Sequence, residues 1–376
     1  MDPFCSAPQV AETVSAQSVD QTLGDEMMDW DSFVGHEQQR QWFRNAVQHD
    51  RLASTFLMVG PSGIGKRTFA RLVAKSLLCT GNDPKQFSPC GRCETCVQVE
   101  ARTHPDVIAI AVEREKGKSA LSIGQFIGDK EAPTHKGLIY QFRIKPYSGR
   151  CKIAIIDDID TLAVEGANSL LKTLEEPPPG SVLFLIGTSE QKQLRTIRSR
   201  SQIVRFRPLS VEELSTLVLR QGMADNPTDA NRIAWESHGS IEGAAQVIDE
   251  ERNDFRTQLL QRLSAYPIDF PELAKSILKH LESAGADGQV RRDRLKWIMD
   301  AATDAYRTTM RRSLGVSGIQ EDASLVPPEL VERLETNALI ALIQRTQQAR
   351  DQVDRNVSPA ALVEAWVAEV SCLSRA

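Results

Sequence analysis

No stretch of this chain approaches the roughly 20 consecutive apolar residues that a bilayer-spanning helix needs. The first residues also lack the basic and apolar regions of a secretion signal. The expectation is therefore a cytoplasmic protein with no membrane partner. Internal repeats and low-complexity arrays are missing as well, which sets aside repeat architectures. Residues 1–29 contain no Lys or Arg but hold Asp2, Glu12, Asp20, Asp25, Glu26 and Asp29. This Ser/Gln/Asp-rich stretch has almost no periodic apolar pattern and is expected to be a mobile acidic tail. Against a formal net charge of −5, the tail carries −6 and the remainder is near +1. Bulk charge therefore neither predicts nor excludes nucleic-acid binding.

What is present is ordinary globular material: 376 residues, 41% hydrophobic and 25% charged, enough for two or three domains at roughly 150 residues each. From Trp30 the pattern alternates. It predicts a helix around Glu37–Asp50, a strand at Thr55–Val59, a helix over Lys66–Leu78, and further strands at Val107–Val112, Lys152–Ile156, Val182–Ile186 and Ile203–Phe206. The strands are mostly unbroken apolar runs, as strands buried on both faces are, so the fold class is an α/β core with a parallel sheet. After Pro208 the strand signal stops. Ser210 and Glu213 have the spacing of a capping box, and apolar residues recur at three- and four-residue intervals in segments such as Phe270–Leu281 and Leu334–Ile343. The expected organisation is a tail (1–29), an α/β domain (30–208), a small helical lid (209–251) and an all-α block (252–376).

Gly60-Pro-Ser-Gly63-Ile-Gly65-Lys66 lies between a predicted strand and a predicted helix, the context of a phosphate-binding loop. Glycines let backbone N–H groups turn toward phosphate oxygens, and Lys66 would reach the outer phosphates of ATP or ADP. The alternative is an ordinary glycine-rich strand-to-helix turn. The residue after Lys66, where a hydroxyl normally binds Mg2+, is Arg67; Thr68 comes one residue late, about 100 degrees round the helix. Ile153-Ala-Ile-Ile-Asp157-Asp158 ends a buried strand in paired acids, where a nucleotide hydrolase holds Mg2+ and polarises water. The second acid is usually Glu, and Asp158 is shorter by a methylene, about 1.5 Å, when a misplacement of about 1 Å can cost on the order of a hundredfold in rate. Alternatively, the two acids only cap the strand and start a helix at Thr161–Leu174.

Cys79, Cys90, Cys93 and Cys96 have the spacing C-x10-C-x2-C-x2-C. Four thiolates suit a closed structural zinc site that staples a short insertion and leaves no position for a catalytic water. Redox or merely buried thiols are the other reading, and His104 as a substitute metal ligand is a third. Cys5, Cys151 and Cys372 are isolated.

The loop, the paired acids and the run Ala167-Asn-Ser-Leu-Leu-Lys-Thr-Leu-Glu-Glu-Pro-Pro-Pro179 resemble the bacterial DNA polymerase III clamp-loader subunits of the AAA+ superfamily, most of all those of delta-prime type. The resemblance runs from about Trp30 to Glu250. Beyond that it is confined to helical character and the segment that begins at Arg355. It implies an AAA+ core with a zinc insertion at 79–96, a lid and a C-terminal collar that mediates oligomerisation. It also interprets Ser199-Arg200-Ser201, similar to the family's Ser-Arg-Cys motif with serine for cysteine, as carrying a finger, Arg200, that acts in trans on a neighbour's ATP. The bland alternative for Arg195, Arg198 and Arg200 is a solvated or DNA-facing basic surface. Gly187-Thr188-Ser189 resembles the polar sensor beside the terminal phosphate; the alternative is a plain strand-end turn. Where related motor subunits carry arginine in the lid's Gly-Ser-x-Arg, this chain has Gly239-Ser-Ile-Glu242.

Arg67, Asp158 and Glu242 together predict a subunit with weak or absent ATPase of its own. The resemblance implies a hetero-pentamer with motor gamma/tau and delta subunits, placement of a sliding clamp, and contacts to primer–template DNA to which Lys116, Lys118 and Lys136 could contribute. The competing readings are a gamma/tau-type motor ATPase and a non-replicative AAA+ binding module. No acidic metal-binding pattern of a polymerase palm is present.

Overall fold

The computed structural model describes residues 28–113, 120–128, 137–285, 288–315, 328–353 and 357–374. Nearly all of the acidic tail, Cys5, Lys116, Lys118, Lys136 and Arg355 lie outside the described residues. Two compact units make up the chain, Met1–Ile248 and Asp249–Ala376.

The first unit is built on one sheet. In chain order its α/β part runs α1 (Glu37–Gln48), β1 (Thr55–Val59), α2 (Lys66–Leu78), α3 (Glu94–Glu100), β2 (Val107–Ile110), α4 (Ile123–Ile127), α5 (Leu138–Arg143), β3 (Lys152–Ile156), α6 (Val164–Glu175), β4 (Ser181–Gly187), α7 (Arg195–Arg198) and β5 (Gln202–Arg205). All pairings are parallel, in the order β2-β3-β4-β1-β5. Insertion of β4 between β1 and β3 places the end of β1, the end of β3 and the end of β4 side by side.

Every residue of β1, β3 and β4 is buried, whereas the edge strands β2 and β5 are partly open. Along β1 the side chains alternate: Phe56 and Met58 enter the core under α1 and α2 with Phe43, Phe69 and Phe184. Leu57 and Val59 enter the opposite core with Phe126, Phe142 and Leu170. This period of two, buried on both sides, is why the strands read as unbroken apolar runs. Each such Phe or Leu contributes about 1.5–3 kcal/mol by leaving water.

Boundaries differ from the sequence expectation where local chemistry intervenes. The first helix ends at Gln48 because Asp50 takes a left-handed conformation (φ 53) and its N–H turns back to Val47 O at 3.2 Å. The helix expected from Thr161 begins instead at Val164, after a 3-10 turn over Ile159–Thr161 that Asp158 opens at φ 53. The second strand, expected to reach Val112, stops at Ile110.

The lid forms its own small core from Leu209, which precedes the first lid helix, and Leu214, Val218, Ala230, Ile233, Ala234 and Ala244 on α8 (Val211–Arg220), α9 (Pro227–Glu236) and α10 (Ile241–Val247). The capping box is present, with Ser210 Oγ accepting from Glu213 N at 3.2 Å and Glu213 Oε2 accepting from Ser210 N at 2.7 Å.

The second unit is helical: α11 (Glu250–Ser264), α12 (Phe270–Glu282), α13 (Gly288–Ser313), α14 (Pro328–Arg333), α15 (Thr336–Val353) and α16 (Pro359–Leu373). Trp366 is fully buried at its centre, and its Nε1 donates to Thr346 Oγ1 at 3.1 Å. Among the described residues no helix is long and apolar enough to cross a membrane.

Candidate nucleotide site and metal centre

The loop at the end of β1 has the backbone its glycines permit: Gly60, Gly63 and Gly65 all have positive φ (156, 69 and 92). A Cβ at Gly60 would meet Phe206 O at 2.5 Å, so a larger residue is excluded by β5's exit as well as by conformation. The 13-residue α2 starts directly after Gly65, which aims its unpaired N–H groups at the loop. His36, missed by the sequence reading, supports the loop from behind: it is 2% exposed and its Nε2 bonds Ile64 O at 2.7 Å. Nothing in a lone histidine between Gly35 and a helix signals that role before the fold is known.

Lys66 is buried, and its Nζ donates to Gly60 O at 2.7 Å and to the carbonyl of Pro61. Burial pushes its ammonium down to about 8, against the pull of Asp157, Asp160, Glu242 and Asp158. Thr68 is half-buried on the first turn of α2, one step beyond Arg67. Arg67 turns to the end of β3, where its Nε lies 3.7 Å from Asp157 Oδ2. A guanidinium therefore stands beside the acid that a magnesium ion would otherwise require. Burial, then the charge of Asp158, raises the Asp157 carboxyl above its ordinary value, and Arg67 opposes both. Asp158 donates its backbone N–H to Asp157 Oδ1 at 2.9 Å.

The third acid, Asp160, was not singled out in the sequence. It accepts from Thr188 N at 2.7 Å, from Thr188 Oγ1 and from Gln193 Nε2. A Cβ at Gly187 would come within 2.6 Å of Asp160 Oδ1, so the glycine before Thr188 keeps that contact possible. Thr188 thus reaches the same strand-end cluster as Asp157 and Asp158, with its hydroxyl engaged by Asp160.

The lid meets the loop. Ser62 Oγ donates to Glu242 Oε2 at 2.7 Å, Ser240 Oγ donates to Ser62 O at 2.9 Å, and Ile241 N donates to Gly63 O at 3.0 Å.

Arg200 follows α7 and is away from this cluster in the chain's own bonding. Its Nη2 lies 2.8 Å from Glu175 Oε1, at the end of α6, and its Nη1 donates to Ser199 Oγ at 3.1 Å and Thr196 O at 3.3 Å. Arg198 and Arg205 both pair with Glu190, at 2.7 and 2.6 Å. These carboxylates offset much of the charge that a DNA-facing reading of the cluster requires. The acids were legible only as part of a Glu-Glu-Pro run and a turn.

The four cysteines come together. The Sγ atoms of Cys79, Cys90, Cys93 and Cys96 all lie within 4.8 Å of one another, close to the roughly 3.8 Å edges of a zinc–thiolate tetrahedron. Backbone N–H groups of Cys90, Cys93 and Cys96 point at the sulfurs of Cys79, Cys90 and Cys93 at 3.3, 3.4 and 3.4 Å, which suits thiolates. A Cβ at Gly81 would meet Cys90 Sγ at 2.5 Å. The donor set fits Zn2+, and these four residues can hold it; the ion would supply a cross-link and no catalysis. His104 is not part of the set: it is buried, and its Nδ1 accepts from Asp106 N at 3.1 Å.

Residues 35–210 match the family model described as DNA polymerase III, delta subunit. The matched region is thus similar to subunits of DNA polymerase III. The chain is 32% identical over 211 residues to the DNA polymerase III subunit delta' of Pseudomonas aeruginosa, covering 56% of this chain and 60% of that one. It is 30% identical over 223 residues to the subunit tau of Escherichia coli, covering 58% of this chain and 32% of that one. Among solved structures, a RuvB variant of Thermotoga maritima aligns over 80% of this chain and 89% of its own at 18% identity, with a TM-score of 0.38. The chain thus spans between a third and three fifths of the length of these sequence relatives.

Proposed function

We propose that this protein is a non-motor, delta-prime-type subunit of the DNA polymerase III clamp loader. It would hold little or no ATPase of its own, donate Arg200 in trans to the ATP site of a neighbouring motor gamma/tau subunit, and help place the sliding clamp on primed DNA. The observation that carries this reading is the Arg67–Asp157 ion pair. A fixed guanidinium at the magnesium position opposes metal binding by like charge and satisfies the carboxylate that would otherwise recruit the ion. Asp158, one methylene short, and Glu242, a carboxylate on the lid at the phosphate loop, act in the same direction.

In the donor role Arg200 needs only a half-exposed guanidinium near a subunit surface, and its side chain is 35% exposed. A planar, permanently charged group suits the charge that develops on a transferred phosphoryl. Cys79, Cys90, Cys93 and Cys96 would hold a structural zinc, and the second unit would act as the collar joining this subunit to delta and the motor subunits.

The test is reconstitution with the other clamp-loader subunits of the same genome. The isolated chain should show negligible turnover with Mg2+ and ATP, and Arg200→Ala should lower the DNA-stimulated ATPase of the assembly by about 10³-fold at the site it serves. Brisk magnesium-dependent turnover by the isolated chain would favour the second reading, a gamma/tau-type motor, for which the similarity to the Escherichia coli tau subunit is the supporting observation.

A further inference from the structure

The contacts between lid and loop are more than a neighbourly packing. Three hydrogen bonds join them, and all use loop groups between the first glycine and Lys66: the Ser62 hydroxyl, the Ser62 carbonyl and the Gly63 carbonyl. The fit is close, since a Cβ at Gly63 would meet Glu242 Cβ at 2.4 Å and Ser240 Oγ at 2.5 Å. The side chain that the lid presents to the loop is therefore a carboxylate, fixed 2.7 Å from Ser62 Oγ.

Charge completes the picture. Four carboxylates, those of Asp157, Asp160, Glu242 and Asp158, pull on the Lys66 ammonium. Lys66 and Arg67 are the cations among them that the loop and α2 supply, and Arg67 is paired with Asp157. A polyphosphate entering this pocket would meet a carboxylate surplus at the point where backbone N–H groups would otherwise receive it.

We infer that Glu242 is a latch: hydrogen-bonded to Ser62, it clamps the lid onto the phosphate loop and keeps nucleotide out of an otherwise intact glycine loop. Nucleotide exclusion and lack of hydrolysis then have separate causes. Exclusion comes from Glu242, whereas the absence of turnover comes from Arg67 and Asp158. Removal of the latch should open the pocket to nucleotide without making the chain an ATPase. The inference rests on the reading of the Lys66 loop as a nucleotide site, but it does not involve Arg200.

The experiment uses the full chain, with a fluorescent ADP analogue as probe and amide hydrogen exchange at Ile241 and Gly243 as the monitor of the lid. The unaltered chain should bind the analogue only weakly. Glu242→Ser should tighten binding by about tenfold or more, as loss of one nearby like charge allows, with faster exchange at Ile241 and ATP turnover still negligible. Lys66→Ala added to Glu242→Ser should abolish the gain. Ser62→Ala removes the hydroxyl donor but keeps the carboxylate, so exchange should accelerate with a smaller gain in affinity. It also serves as the independent test if Glu242→Ser does not fold. Micromolar binding by the unaltered chain overturns the proposal. Unchanged exchange in folded variants overturns the latch and leaves the loop reading intact. Accelerated exchange without any binding overturns the proposal together with the loop reading.

Discussion

The Arg67 guanidinium lies 3.7 Å from the Asp157 carboxylate and joins the first turn of the helix after the phosphate loop to the end of the buried strand β3. Both groups are partly accessible, at 39% and 22% of their side-chain surfaces, so the pair owes its importance to position rather than to stability. Arg67→Thr alone should leave the isolated chain without measurable turnover, because Asp158 still places its oxygen about 1.5 Å short. Arg67→Thr combined with Asp158→Glu and Glu242→Arg should produce magnesium-dependent ATP hydrolysis in a phosphate-release assay. A triple variant that folds and binds nucleotide equally well with and without magnesium would show that the ion pair is not what excludes the metal.

The zinc reading has a spectroscopic handle. Trp30 stacks on Phe87, inside the cysteine insertion, with ring centroids 5.3 Å apart, and its Nε1 donates to Ser76 Oγ at 2.8 Å. Metal analysis under reducing conditions should find one zinc per chain. Removal by a strong chelator should shift the tryptophan emission, and Trp30→Phe should lose that shift. Cys93→Ser should lower zinc occupancy sharply.

Asp106 is fully buried and accepts from Tyr147 N and Ser148 N, both at 2.7 Å, and from Lys152 Nζ at 3.2 Å. Burial opposes its charge, but the bonds from Ser148, Tyr147 and Lys152 prevail and hold the carboxyl below the ordinary range. Asp106→Ala would strand the Lys152 ammonium and two N–H groups, and should cost about 3–5 kcal/mol in denaturant unfolding. Because the folded carboxyl is depressed, its contribution is complete above its ordinary pKa of 3.8 and fades as the pH falls through the lower folded value.

In the second unit, His280 is stacked on Phe255 at 3.8 Å, and burial pushes it down to about 4, with the charge of Arg294 acting in the same direction. The unfolded chain takes up this proton near 6.5, but the folded one does not until about 4. Stability from His280 is therefore complete above 6.5 and declines as the pH falls through that window. Thermal unfolding at stepped pH should show the decline, and His280→Leu should flatten it by one proton's worth.

Legibility followed physics. The helix over Lys66–Leu78 and the strands at Thr55–Val59 and Lys152–Ile156 appear at the residues their patterns indicate, since each is a long apolar or amphipathic run between strong breakers. The short helices α4, α5 and α7 were not foreseen: at four to six residues they are too brief for a 3.6-residue period to register. The cysteine tetrad was readable because its ligands are close in sequence. Asp160, Glu175, Glu190 and His36 were not, because the partners of Asp160, Glu175 and His36 lie 25 to 33 positions away and those of Glu190, 8 and 15 positions on, belong to other elements, α7 and β5.

The chain order alone determined the strand runs, the glycine loop with its misplaced hydroxyl, the shortened second acid and the spacing of the thiols, all of which depend on neighbours within about ten residues. Only the tertiary structure decided that Arg67 would pair with Asp157, that Glu175 would hold Arg200, and that Glu242, 180 positions from Ser62, would bond to it. Those pairings arise because β4 inserts between β1 and β3 and because the lid folds back on the loop. A carboxylate carries no mark of its partner until the backbone has brought the two within hydrogen-bond reach.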